Sequence, residues 1–383
     1  MFPRLFFDGN VVLMIKVQKA HHGGSGIYGV IGKDFAHLEK DSEVANADGL
    51  DAWFDPSPKA SQKLSENLDF AVRTSPPLHA DGLKETISEY RGVPVENILV
   101  AGGSSDLMYV LFPNLSFKKA LILDPMYGEY RHIFEKVLDG VELITHNLLA
   151  ENNFDIEVND FINTICQTKP DLVTIVNPNS PAGKALRRKD IEHILSNIPE
   201  EILFIIDETY IDYVGSAESV ETLVPQHSNL IVIKSMSKVY GLSGARVAYM
   251  VVPQSFVQKL DAHIPPFSVS TPAQILAIES LKDVEYYKER WNKTKELREN
   301  MANALQSLPS IKVYAGEGNF VLIQLLGDNA GKAEDIIQKL TDRNIFIRNA
   351  DSMSKQFHGD FLRIAIKDRD TNTRIFKGLE EVL

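Results

Sequence analysis

Ser235-Met236-Ser237-Lys238-Val239-Tyr240-Gly241-Leu242-Ser243-Gly244-Ala245-Arg246 follows, after Lys234, the apolar run Leu230-Ile231-Val232-Ile233. An apolar run that gives way to hydroxyls, a lysine, glycines and an arginine reads as a buried strand opening onto a site. In open α/β sheets, ligands bind outside the carboxyl ends of the strands. A lysine there can form a Schiff base with a carbonyl group. Small hydroxyls suit a phosphate, and so does an arginine, whose planar fork matches the phosphate oxygens. The same letters also fit an exposed turn with a solvated lysine and arginine, so the rest of the chain has to decide.

The chain has 383 residues, a length at which one hydrophobic core usually divides, and two domains are expected. A hydrophobic fraction of 44% and a charged fraction of 24% are ordinary for a soluble globular protein. The net charge of -12 argues against a nucleic-acid binder, which would carry a basic face, but leaves room for a local basic pocket. Cys166 is the only cysteine, so no intrachain disulfide is possible, which fits a reducing cytoplasmic setting. Residues 5–17 are apolar but interrupted by Asp8, Asn10 and Lys16, with no small-residue cleavage pattern after them. They read as an arm that packs on something, a partner subunit being one candidate. No later run has membrane-spanning length, and no membrane partner is expected.

Short apolar runs at 98–101, 121–123, 141–145, 172–176, 202–206, 230–233 and 247–252 alternate with helical stretches at 107–112, 130–138 and 191–198. Val-, Ile- and Leu-rich strands alternating with helices predict a mostly parallel sheet covered on both faces. Past Pro265, Pro266 and Pro272 the pattern predicts one long helix over 274–308. It then gives strands at 311–314, 320–324, 345–348 and 361–366, with helices at 334–343 and at the end. The expected organisation is an arm at 1–60, a large α/β domain at 61–265 and a smaller α+β domain at 266–383.

Three predicted strands end in polar residues: Asn177 to Asn179, Asp207, and Lys238. In a parallel sheet these ends converge. The turn Gly102-Gly103-Ser104-Ser105 adds backbone N–H groups at a helix start, which suits an anion. Asp207 alone could be a helix cap, and the glycine turn alone could be any strand-to-helix connection. Together they supply what pyridoxal 5'-phosphate needs: an amine for its aldehyde, a phosphate cradle and a carboxylate. His21 and His22 have no second ligand cluster, and no metal site is expected.

From about residue 50 to the C-terminus the chain resembles the fold-type I pyridoxal phosphate enzymes. Within them it is similar to the branch containing histidinol-phosphate aminotransferase and threonine-phosphate decarboxylase. The stretches that carry this are Ser235-Met236-Ser237-Lys238 with Arg246, the Asn177-Pro178-Asn179-Ser180-Pro181-Ala182-Gly183 loop, and Asp207-Glu208-Thr209-Tyr210. The resemblance implies that Lys238 is the Schiff-base lysine, with Asp207 holding the pyridine nitrogen protonated. Asn179 and Tyr210 bond the ring's phenolic oxygen, and Tyr127 lies against the ring face. Gly103, Ser104, Ser105, Ser235, Ser237 and Arg246 hold the phosphate. Arg363 matches the arginine that grips a substrate carboxylate, and Arg348 a second arginine of members with phosphorylated substrates. The resemblance also implies a homodimer. There are departures. Ser75-Pro76-Pro77 stands where the branch often has Tyr-Pro-Asp reaching the partner's cofactor. Ser180 and Ala182 stand where many relatives have Asn and Thr, and the arm before His22 is longer.

These cofactor motifs leave the reaction open, because the bond held perpendicular to the ring is the one that breaks. An aminotransferase presents Cα–H there, and a decarboxylase presents the carboxylate. The His22-Gly23-Gly24 turn, with Phe54-Asp55-Pro56-Ser57-Pro58 after it, is similar to the N-terminal region of threonine-phosphate decarboxylases. A histidine with glycine N–H groups is apt for a phosphate, although a plain glycine-rich tail has the same letters. The expectation is decarboxylation of O-phosphothreonine or O-phosphoserine to an amino-alcohol phosphate, as used in cobalamin-type cofactors. A histidinol-phosphate-type aminotransferase is the alternative. A regulator or binding module built on the same fold is opposed by the intact Lys238, Asp207 and Arg246.

Overall fold

The computed structural model describes Gly23, Gly24 and residues 26–383. The apolar arm at 5–17 and His22 lie outside the described residues. In chain order the strands are β1 (Ala45–Ala47), β2 (Ile98–Ala101), β3 (Lys119–Asp124), β4 (Glu142–Asn147), β5 (Leu172–Val176) and β6 (Leu203–Asp207). They continue with β7 (Leu230–Ser235), β8 (Ala248–Val251), β9 (Ile311–Tyr314), β10 (Phe320–Leu325), β11 (Ile345–Asn349) and β12 (Phe361–Ala365).

The larger sheet has the order β2-β8-β7-β6-β5-β3-β4. Pairing is parallel from β7 through β6, β5 and β3 to β4, and antiparallel where β8 meets β7 and β2. Two reversals return β2 to the direction of β7, so the carboxyl ends of β2, β3, β5, β6 and β7 lie along one edge. On that edge the order switches at β3, whose two neighbours are β4 and β5, and such a switch opens a crevice. Every residue of β5 and β7 is buried, the mark of strands covered on both faces. The molecule is thus an α/β protein built on a mostly parallel central sheet.

The smaller sheet has the order β1-β11-β12-β10-β9. β1 pairs in parallel with β11, so the N-terminal part of the chain supplies a strand to the C-terminal sheet. Ala45 and Ala47 are buried there. Where one helix was expected over 274–308 there are two, Thr271–Lys282 and Val284–Leu305, meeting at Asp283. Asp283 leaves helical geometry and pairs with Lys59 at 2.7 Å. The new direction seats Tyr287 in the core, its hydroxyl bonded to Ser280 and accepting from the Ser57 N–H.

Candidate active site

The ends of β2 and β7 build one cluster. Gly103 has φ +121°, a conformation that disfavours any side chain, and a Cβ there would lie 2.3 Å from Nη2 of Arg246. The arginine therefore rests on bare backbone at the start of the helix Ser104–Leu111, whose first turn carries Ser104 and Ser105. Arg246 is exposed and donates from Nη1 to the Ser243 carbonyl at 3.1 Å. The Ser237 N–H donates to the Ser235 hydroxyl. Ser243 Oγ donates to the Ser237 carbonyl and meets Lys238 Nζ at 3.3 Å, which joins the lysine to the cluster. Lys238 Nζ also lies 2.8 Å from Asp51 Oδ1.

The ends of β3, β5 and β6 build a second. Asp207 is buried, accepts from Tyr130 Oη at 2.8 Å, and from the Thr209 N–H and hydroxyl at 2.9 and 2.6 Å. Burial pushes its carboxyl above the usual range, although those bonds act the other way. Asn179 is fully buried, and its Nδ2 donates to the Pro125 carbonyl at 3.0 Å. Its Oδ1 has no partner among the described residues. Tyr127 stands edge-on to Tyr130, and burial pushes its phenol up to about 12. Burial raises the buried Tyr210 phenol too, which stands edge-on to Phe320.

The smaller sheet supplies a third. Arg348 on β11 and Arg363 on β12 are partners in register, and both are buried. Like charges directly opposite on a sheet are destabilising, and the Asp48 carboxylate lies beside this pair. Arg363 donates to Ser180 Oγ at 3.1 Å and to the Asp48 carbonyl at 3.2 Å. Burial pulls its guanidinium down to about 10, and neighbouring Arg348 acts the same way. Arg348 donates to Ser352 Oγ at 3.1 Å, and its Nη1 lies 3.8 Å from Asp48 Oδ1. The Gly24 N–H donates to the Asp48 carboxylate, and Gly23 packs so close that a Cβ would collide with it. The glycine turn therefore sits at the arginine pair.

Asp48, Asp51 and Tyr130 had no signal in the sequence. Thr209 had one: a hydroxyl residue two places after an Asp favours a local turn bonded to that carboxylate. Ser180, which stands where many relatives have Asn, is a direct partner of Arg363.

These residues suit pyridoxal phosphate. A bare-backbone cradle faces an arginine, a buried amide oxygen lacks a partner, and a buried carboxylate lies on the same sheet edge as a lysine. Among the described residues no helix is long and apolar enough to cross a membrane, and no cluster of three or more metal-type ligands occurs.

Comparison with known proteins agrees. Residues 48–379 match the family described as "Aminotransferase class I and II". The chain is an enzyme of the pyridoxal phosphate-dependent class, and it belongs to the class I and II aminotransferase family. It is 29% identical over 329 residues to the histidinol-phosphate aminotransferase of Thermoanaerobacter sp. (strain X514), covering 84% of this chain and 89% of that one. It is also 29% identical over 304 residues to a Caldanaerobacter subterraneus subsp. tengcongensis protein named "Putative threonine-phosphate decarboxylase", covering 78% and 80%. The solved structure of the histidinol-phosphate aminotransferase from Clostridium acetobutylicum superposes with a TM-score of 0.74 at 26% identity, covering 87% of this chain and 98% of that one.

Proposed function

We propose that this enzyme decarboxylates an O-phosphoamino acid, O-phosphothreonine or O-phosphoserine, to the amino-alcohol phosphate. The observation that carries this is the buried pair Arg348 and Arg363, side by side in register, with the Gly23-Gly24 turn on Asp48 beside them. A short substrate with two anions suits two adjacent cations and a glycine turn. Arg363 takes the carboxylate, while Arg348 and the turn, with His22, take the phosphate. Held at both ends, the substrate keeps its carboxylate in one orientation.

Lys238 attaches the cofactor, and Gly103, Ser104, Ser105, Ser235, Ser237 and Arg246 hold its phosphate. Asp207 would hold the ring nitrogen in its protonated form, because an adjacent carboxylate stabilises a cation. Asn179 and Tyr210 would bind the ring oxygen, and Tyr127 would cover the ring face. When bound, pyridoxal phosphate supplies an electron-accepting ring for the pair released at the substrate's α-carbon. Carbon dioxide leaves that carbon, and Lys238 Nζ delivers the proton that replaces it. The working unit is a homodimer.

A second reading, transamination of a histidinol-phosphate-type amine, is favoured by the 29% identity to a named histidinol-phosphate aminotransferase. One experiment separates them. The enzyme is given carboxyl-labelled O-phosphothreonine and O-phosphoserine, and separately histidinol phosphate with 2-oxoglutarate. Labelled carbon dioxide and an amine phosphate are expected. Label retained on carbon, with amino groups passing to 2-oxoglutarate at a comparable or higher rate, makes the enzyme an aminotransferase.

A further inference from the structure

Asp51 has no part in the mechanism above, yet it is the acid that touches Lys238. It lies between β1 and the helix Pro58–Glu66, and is 187 residues from the lysine in the chain. Its Oδ1 is 2.8 Å from Nζ. Its backbone is held as well: Lys367, just past β12, donates from Nζ to the Asp51 carbonyl at 2.9 Å. Three charges thus meet here, one ammonium from the large sheet, one from the small sheet and a carboxylate between them.

The surroundings are mutually tuned. Burial would raise the Asp51 carboxyl, but the charge and hydrogen bond of Lys238 carry it down to about 2. Burial pulls Lys367 down to about 8; Asp51 opposes that fall, Lys238 adds to it, and Asp368 and Asp41 act from farther out. Tyr210 faces Asp51 from beyond β6. The Tyr213 hydroxyl is engaged by the Lys238 carbonyl at 2.7 Å, and Ser243 is the lysine's uncharged neighbour.

We propose that Asp51 is a positioning residue for Lys238, receiving its ammonium whenever the lysine is not joined to the cofactor, with Lys367 fixing the Asp51 backbone for that task. This rests on the assignment of Lys238 as the cofactor lysine. An opposite charge at hydrogen-bond distance favours the charged form of an amine. Attack on an aldehyde needs the neutral form. On loading, the ammonium gives a proton to solvent, its freed lone pair forms the carbon–nitrogen bond, and the aldehyde oxygen leaves as water. Asp51 thereby gives the released lysine a fixed resting point beside the reaction centre, an ion pair that must open before the lysine takes up the cofactor.

The test follows loading, not turnover. Full-length protein freed of cofactor is mixed with pyridoxal phosphate across the neutral and alkaline range, and growth of the visible band is timed. Borohydride reduction and peptide mapping then identify the labelled lysine. Asp51→Asn and Asp51→Ser, which lose the ion pair that holds the ammonium, are expected to load roughly two- to fivefold faster. Asp51→Glu, which keeps the charge, is expected to retain the parent loading rate. Label on Lys238 in all proteins with coincident loading rates overturns this proposal alone. Label on another lysine in the parent protein overturns the assignment of Lys238 and this proposal with it.

Discussion

Arg363 is buried directly opposite a second buried cation, Arg348, and its pull on an anion is separable from its part in the fold. Arg363→Gln removes one of two like charges, which relieves repulsion across the strands. It also removes a charged partner for the substrate carboxylate, a loss worth ~2–5 kcal/mol, or roughly 30-fold to a few thousand-fold in kcat/KM. We expect that fall in turnover with an unchanged or slightly raised Tm, measured by carbon dioxide release and by thermal unfolding. Loss of folded protein in this variant would mean that the pair is structural. At Lys238 the expected result is binary. The parent protein, reduced with borohydride, carries the cofactor on Lys238, whereas Lys238→Ala carries none, as read by mass spectrometry of the digest.

At the scale of single elements, the turn between β2 and the helix Ser104–Leu111 works because Gly103 has no side chain. Gly103→Ala puts a methyl 2.3 Å from Nη2 of Arg246 and forces the guanidinium away. A displaced charged hydrogen bond of ~1.5–3 kcal/mol implies about 10- to 100-fold weaker pyridoxal phosphate binding, checked by titrating the visible band. Behind the sheet, the helix Asp81–Arg91 is tied in by its last residue. Arg91 donates to Asp212 at 3.0 Å and to Glu221 at 2.7 Å, both of them buried. Arg91→Ala leaves two buried carboxylates without that partner and should cost about 3–5 kcal/mol, measurable by urea unfolding. The pH dependence has a defined sign. Burial alone would raise Asp212, but Arg91 and Lys234 bring its carboxyl from the ordinary 3.8 down to about 2. Its folded value lies below its unfolded one, so this contribution is complete above about 4 and is lost as pH falls toward 2. Midpoints of unfolding recorded through that window should fall more steeply in the parent than in Asp212→Asn.

For the whole molecule, the surface of the helix Leu68–Arg73 carries a consequence for assembly. Leu68, Phe70 and Val72 are 50%, 53% and 71% exposed, and Leu78 beyond them is 48% exposed. Large apolar side chains exposed together in one short segment point to an interaction site. In the proposed homodimer a second copy covers it. Phe70→Asp is expected to shift the protein toward monomer in sedimentation velocity, with reduced activity. A parent protein that sediments as an active monomer would remove the dimer from the proposal.

What the sequence determined by itself is the large sheet and the residues at its strand ends. An apolar strand followed by a polar residue is a local pattern, so Asn179, Asp207 and Lys238 could be read off their own segments, and a parallel sheet brings such ends together wherever the strands fall in order. Tertiary structure decided what is set by register and long-range packing. Arg348 and Arg363 are two separate arginines in the sequence, and only the pairing of β11 with β12 makes them neighbours. The single helix expected over 274–308 breaks at Asp283 because Lys59 and Ser57, far away in the chain, hold that corner. Asp51 meets Lys238 across 187 residues, where β1 has joined the C-terminal sheet and carried the following segment over the crevice. No local pattern encodes such a contact, since it exists only once both sheets have packed.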